Sequence, residues 1–218
     1  MTDAATTGLW QLAMAWTSET GTKVSPVEVA YLVRQIHVGY GCLNACLHCF
    51  AAAPTTLDQM TLETFVQLAR EFGAVAQSTG ERFPFLFLGA ASDPSMVAGF
   101  ADYADAWIKS LPNWHPVRFY THGWQLSYQE QREEFKWFCR ILKTHAERIG
   151  AMALSVDVFS TYARADWQAY LENVDQNLNG FLEVLPRQVV KFDVTYPISH
   201  LDEDREYTMS YWIETARG

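Results

Sequence analysis

A chain of 218 residues with 49% apolar and 19% charged side chains has the composition of one ordinary globular domain with a sizeable core. Its net charge of −9 argues against a nucleic-acid partner, because phosphate backbones are bound by clustered Lys and Arg. No apolar run reaches the length of a membrane span, and the start Met1-Thr-Asp-Ala lacks the basic region of a secretory signal, so a cytoplasmic location with no membrane partner is expected.

In chain order, the apolar run from Leu9 to Trp16 is too short to span a bilayer and reads as an amphipathic packing helix within an N-terminal helical extension, 1–30. A first strand is predicted over 32–38. It leads into His37-Val-Gly-Tyr-Gly-Cys42-Leu-Asn-Ala-Cys46-Leu-His-Cys49-Phe50, where three of the chain's four cysteines fall at the spacing C-x3-C-x2-C. Three thiolates can hold three corners of a four-iron cluster and leave the fourth iron open to a substrate, whereas a cube held by four cysteines mainly transfers electrons. Two alternatives use the same residues. Positions i, i+4 and i+7 share a helix face, so the cysteines can be core, and the three with His48 can hold zinc. Gly39 and Gly41 before the run and Pro54 after it favour a loop over a helix. Clustered cysteines without a secretion signal point to a reducing compartment.

Thr61 is predicted to cap a helix that carries Leu62, Phe65, Val66, Ala69 and Phe72 on one side. A second strand follows over 83–88, then Asp93-Pro94 as N-cap and first-turn proline of a helix with Val97, Phe100, Ala104, Trp107 and Ile108. The third strand is predicted over 117–121. Ser127-Tyr-Gln-Glu130 reads as a capping box, opening a helix whose apolar face holds Phe135, Phe138, Leu142 and Ala146. Cys139 lies on or beside that face and is expected to be a core residue. The fourth strand is predicted over 151–158. Trp167, Tyr170, Leu171, Val174, Leu178, Phe181 and Leu185 form the stripe of the next helix, stopped by Pro186, and a fifth strand covers 189–196. After Tyr196 the pattern suggests a turn and a helix, with no clear sixth strand.

Strands alternating with helices indicate α/β units and a parallel sheet. The second strand is continuously apolar, as burial on both faces requires. The fourth and fifth instead alternate, setting Ser155, Asp157, Lys191, Asp193 and Thr195 between apolar residues, and successive side chains point to opposite faces. A tightly filled barrel would not tolerate such a set inside unless it were paired. An incompletely closed barrel with a wet interior would accept it, and an edge strand facing solvent is the alternative. Gln35, His37, Tyr120 and His122 are candidates for the same polar face.

The cysteine segment resembles the signature of the radical S-adenosylmethionine (radical SAM) superfamily, in which an aromatic residue precedes the third cysteine. Here that residue is His48. The resemblance covers 32–196 and implies a partial (incomplete) TIM-like barrel of parallel strands with outer helices over 31–218, either minimal or short at its C-terminus. It implies Cys42, Cys46 and Cys49 as ligands of a 4Fe–4S cluster, His48 against the adenine, and SAM bound through its amino and carboxylate groups to the open iron. One electron, from a reductant such as flavodoxin or ferredoxin, would cleave SAM to methionine and a 5′-deoxyadenosyl radical that abstracts hydrogen from a substrate.

Further SAM contacts follow from the resemblance. Family members carry a Gly-Gly-Glu-Pro-like segment after strand two. The matching stretch Gly89-Ala-Ala-Ser-Asp93-Pro94 keeps a glycine, an acid and a proline, so the backbone of Gly89 and Ala90 and the carboxylate of Asp93 are candidates for the amino group. Thr121-His122-Gly123 resembles the family's Thr-Asn-Gly segment, with His in place of Asn. Ser155, Asp157 and Asp193 are candidates for the SAM ribose, carboxylate or adenosine, and Asp157 also for the substrate. An open barrel side needs a cover to keep a radical from water, which suggests a peptide or protein substrate, a partner chain or the 9–16 helix. The competing expectation is a non-catalytic iron–sulfur or zinc module that uses the same cysteines for electron transfer or structure.

Overall fold

The computed structural model describes residues 8–33, 35–43, 57–83, 86–89, 93–157, 160–198 and 207–214, with side chains described through Phe192. In chain order the elements are α1 (Gly8–Thr20), α2 (Pro26–Leu32), β1 (Gln35–Ile36), β2 (Gly39–Tyr40), β3 (Asp58–Gln59), α3 (Leu62–Thr79), β4 (Phe87–Leu88), α4 (Phe100–Ser110), β5 (Val117–Thr121), α5 (Gln129–Thr144), β6 (Ile149–Asp157), α6 (Thr161–Ala165), α7 (Trp167–Val184), β7 (Val190–Ile198) and β8 (Tyr207–Glu214).

Five strands form a parallel sheet in the order β1-β4-β5-β6-β7, and β8 adds to β7 antiparallel. This spatial order follows the chain without reversal. Right-handed crossovers then put every connecting helix on one face, where α3 packs on α4, α4 on α5 and α5 on α7. The helical face carries the apolar residues of the strands. Leu88, Phe119, Met152 and Leu154 are fully buried there, against two aromatic groups. Phe65, Phe72, Phe83 and Trp107 fill the space under α3 and α4. Phe100, Phe119, Trp124, Phe138 and Phe181 fill the space under α4, α5 and α7, with ring centroids such as Trp124–Phe138 5.0 Å apart. Each buried ring contributes about 1.5–3 kcal/mol by leaving water.

The N-terminal helix joins this same core. Leu9 and Ala13 of α1 are buried, and Glu71 of α3 accepts from the N–H groups of Gly8 (2.9 Å) and Leu9 (2.8 Å), satisfying two donors that a helix start leaves unpaired. Helix α1 therefore packs within the helical layer, against α2 and α3. Among the described residues, no helix is long and apolar enough to cross a membrane.

Several expectations need correction. The strand predicted over 32–38 is only β1, because Ser25-Pro26-Val-Glu28 forms a complete capping box and starts α2, which consumes Leu32. The 83–88 strand shrinks to β4. Asp93 does cap, and Pro94 follows, but they open a single 3-10 turn, Pro94–Met96. Helix α4 begins separately after Gly99, with no side-chain cap of its own; Glu134 of α5 accepts from Ala101 N–H at 2.9 Å in that role. The box at Ser127–Glu130 does not form. Tyr128 is the N-cap of α5, which leaves Glu130 one position short of the residue that must reach back. The segment expected as a C-terminal helix contains β8. Strand β7 is thus not an edge: it pairs with β6 on one side and β8 on the other, and Lys191 on it is half-buried.

Candidate functional site at the C-terminal edge of the sheet

The parallel strands end together at one edge, and the chemistry-bearing side chains collect there. After β1 the chain forms β2, whose pairing with β3 (Gly39 with Gln59, Tyr40 with Asp58) brings the two ends of the cysteine segment side by side. The base of that segment is tied to the β4–α4 connection. The Gln59 side chain accepts from Ala98 N–H (3.1 Å) and donates to Ala98 C=O (3.3 Å), and Leu43 N–H donates to Met96 Sδ (3.1 Å). Cys42 is half-buried at this place. Cys46, Cys49, His48 and Ala90 lie outside the described residues. Among the described residues no group of three side chains suited to a metal is present.

Gly89 closes β4. Its N–H donates to Ile36 C=O at 3.0 Å, its φ is +95°, and a Cβ there would sit 2.5 Å from the Pro94 ring and 2.6 Å from Tyr120 C=O. Only glycine fits. Asp93 follows, with its side chain fully buried. One carboxylate oxygen accepts from Ser95 N–H and from the Thr121 hydroxyl, both at 2.9 Å. The other accepts from His122 N–H at 2.6 Å and faces His122 Nδ1 at 2.8 Å. These four contacts match the roughly four acceptor positions of a carboxylate. Burial alone would raise the Asp93 pKa, but the bonds and charge from His122 and the bond from Ser95 outweigh it and hold it below the ordinary value. Asp93 is therefore both the cap expected of it and a hub joining β4's exit to β5's end.

His122 stands between two acids. Its Nε2 lies 3.9 Å from Asp157 Oδ2, and its ring meets Tyr120 edge-on at 6.1 Å. Asp157 and Ser155, the polar residues of β6, are both 1% exposed, so that face of the strand is enclosed rather than washed by solvent. Asp157 N–H is bonded to the Tyr170 hydroxyl at 2.8 Å. Asp193 lies on β7 in register with Ser155, and Lys191 in register with Ala153. Beyond β6, Ser160 caps α6, and Tyr162 of that helix has its pKa raised by burial and then by Tyr128, Asp93 and Cys42 nearby.

Sequence reasoning selected Cys42, Gly89, Asp93, Ser155 and Asp157, and the fold gathers Cys42, Gly89, Asp93 and Asp157 at this edge, with Ser155 a step inside it. It passed over His122 for want of a partner in reach, and over Tyr162 entirely. The His122 partners come from sequence positions 29 residues before and 35 after, so only the crossover topology reveals them. Cys139 is far from this edge in character. It faces Gly180 of α7, and burial with the nearby Glu183 pushes its thiol up to about 12, so it is an inert packing residue. Comparison with protein-family models, with curated proteins and with solved structures found no match to the chain.

Proposed function

We propose that this chain is a radical SAM enzyme built on a partial TIM-like barrel. The observation that carries the reading is that the start of the cysteine segment, tied at Leu43 to Met96 of the β4–α4 connection, lies with Gly89, Asp93, His122 and Asp157 at the C-terminal edge of a parallel sheet, where α/β enzymes hold their ligands. Sequential strand order with helices on one face is the arrangement that curls toward a barrel.

The sequence offers residue types suited to the groups such an enzyme holds. Cys42, with Cys46 and Cys49, would supply a thiolate donor set with one coordination position left over. When bound, the cluster supplies the electron that cleaves SAM and so starts hydrogen abstraction from the substrate. The chain's own part is to bind and orient. At Gly89 the absence of a side chain lets the turn pack against the Pro94 ring and Tyr120 C=O, which fixes the path of the chain between β4 and Asp93. Asp157 offers a buried carboxylate to a hydroxyl or ammonium. Asp93, with its acceptor positions engaged within the chain, serves by holding His122 and the Gly89 turn in place. Burial of Ser155 and Asp157 keeps bulk water from that face.

The test is anaerobic reconstitution. About four irons per chain are expected, with an EPR signal in the reduced state that changes when SAM is added. Dithionite and SAM should release 5′-deoxyadenosine, and Cys42→Ala or Cys46→Ala should abolish it. Zinc in the purified protein, or a cluster indifferent to SAM, would instead favour the non-catalytic module, which rests on the same three cysteines. The need to cover an open barrel side favours a peptide or protein as substrate, to be checked by pull-down against turnover of small metabolites.

A further inference from the structure

We propose that the outer face of α1 is a self-association surface, on which a second copy of this chain packs its own α1 antiparallel. The inference is independent of the chemistry proposed for the cysteine edge. Leu9 and Ala13 bury one side of α1 in the core, yet Trp10, Leu12, Met14 and Trp16 remain 46%, 48%, 55% and 45% exposed. At about 100° per residue, Trp10 and Met14 lie on one flank of the buried line and Leu12 and Trp16 on the other. Gln11, Ala15 and Ser18 form the exposed ridge between the two flanks. Apolar side chains thus wrap α1 well beyond the arc that its own core covers. The exposed halves of two tryptophans, a leucine and a methionine come to roughly 400 Å², as large a patch as a monomer ordinarily leaves open.

Charge selects the occupant. From Gly8 to Ser18 the chain carries no Asp, Glu, Lys or Arg, so the face offers a charged partner nothing to pair with. An anionic membrane surface is disfavoured too, because the helix lacks the basic residues that such a surface attracts and the whole chain carries −9. Two chains of the same net charge repel on approach, and an uncharged face is where they can meet with their carboxylates apart. A two-fold axis beside Ala15 makes the face self-complementary. Each flank then meets its own copy, Met14 against Met14 and Trp16 against Trp16. The small Ala15 side chain on the ridge lets the helix axes approach to about 8–10 Å. Both patches with their ridges bury roughly 1,000 Å², the lower end of specific interfaces, so the pair is a weak, reversible dimer.

The experiment is analytical ultracentrifugation of the full chain, with reductant present so that no thiols cross-link. A monomer–dimer equilibrium with a dissociation constant on the order of 10 µM is expected. Raising the salt from about 0.05 to 0.5 M should tighten it, because screening relieves the repulsion between the two chains. Ala15→Glu sets two carboxylates at the axis and should weaken the dimer about thirtyfold or more. Ala15 is exposed and Glu is a good helix former, so this variant keeps α1 folded, which circular dichroism checks. Trp167→Glu, at a tryptophan of α7 that is 44% exposed, should leave the equilibrium unchanged. A chain that stays monomeric to about 200 µM, well above the expected constant, overturns the proposal. So does a dimer that survives Ala15→Glu or that loosens with salt. A monomer that co-sediments with neutral phosphatidylcholine vesicles assigns the face to a lipid surface and overturns it as well.

Discussion

Strands β1 and β4 contribute two residues each to the sheet, while β5, β6 and β7 contribute five, nine and nine. The short side gives up its ladder early, and its chain turns into the cysteine segment and the Gly89–Asp93 connection. The long side carries its ladder to the edge and ends in side chains: His122 just past β5, Asp157 at the end of β6. A backbone that stops pairing exposes N–H and C=O groups to a ligand, while a long ladder aims side chains within fractions of an ångström. The two halves of the site thus offer different chemistry, and Asp93, which leaves β4 but binds the end of β5, joins them.

The largest effect is expected where the two sides meet. Asp93→Ala removes a buried charge bonded to Ser95, Thr121 and His122, and should cost about 3 kcal/mol or more in urea unfolding. Next is the short side alone. Gly89→Ala should cost about 2–3 kcal/mol from its positive φ and the clash with Pro94 and Tyr120. Gly80→Ala, with a φ of +70° but open space around it, should cost only about 1 kcal/mol. Hydrogen exchange should show Gly89→Ala loosening the β1–β4 amides while β5–β6 stays protected. If both pairs loosen together, the two sides are one cooperative unit and the comparison fails.

The long side should lose less. Asn177 accepts from Trp124 N–H (2.9 Å) and donates to Trp124 C=O (2.8 Å), pinning the turn after His122 to α7. Asn177→Ala should cost about 2 kcal/mol, with β1–β4 exchange unchanged.

The smallest effect is a pH slope. Burial, and then the nearby Arg118, Arg148 and Arg82, lower the His115 pKa against the opposing bond to Pro116 C=O. Its Nε2 accepts from Phe83 N–H at 2.9 Å, so the folded form needs the neutral ring. The unfolded chain takes up that proton near about pH 6.5, the folded chain only lower. The contribution is complete above that pH and declines as pH falls through this window. His115→Gln should flatten the slope. Asp93 adds a second decline, lower, as pH falls from about 3.9 toward its depressed folded value.

Much of the fold was legible because the strands obey simple patterns. Met152, Leu154 and Val156 alternate with Ala153, Ser155 and Asp157, and β6 is where that pattern says. Helices α3 and α7 start at Thr61 and Asp166, whose side chains accept from Thr64 and Ala169 N–H. Strand β8 was missed although Tyr207, Met209, Tyr211 and Ile213 alternate with Thr208, Ser210, Trp212 and Glu214, a strand period among β-favouring residues. Helix α2 was missed although Ser25-Pro26-Val-Glu28 is a capping signal. The site was half legible. Asp93 and Asp157 announce themselves as acids after strands, but Asp93 and Asp157 meet at His122 through contacts no local pattern encodes.

The β2–β3 ladder, with Gln59 gripping Ala98, holds the two ends of the cysteine segment side by side. Chain closure depends only weakly on length, so doubling the stretch between Gly41 and Leu57 would cost about 0.6 kcal/mol. The neck is therefore a natural splice point. Foreign loops of varied length and cysteine spacing can be exchanged there as cassettes, with the rest of the sheet serving as an unchanged chassis.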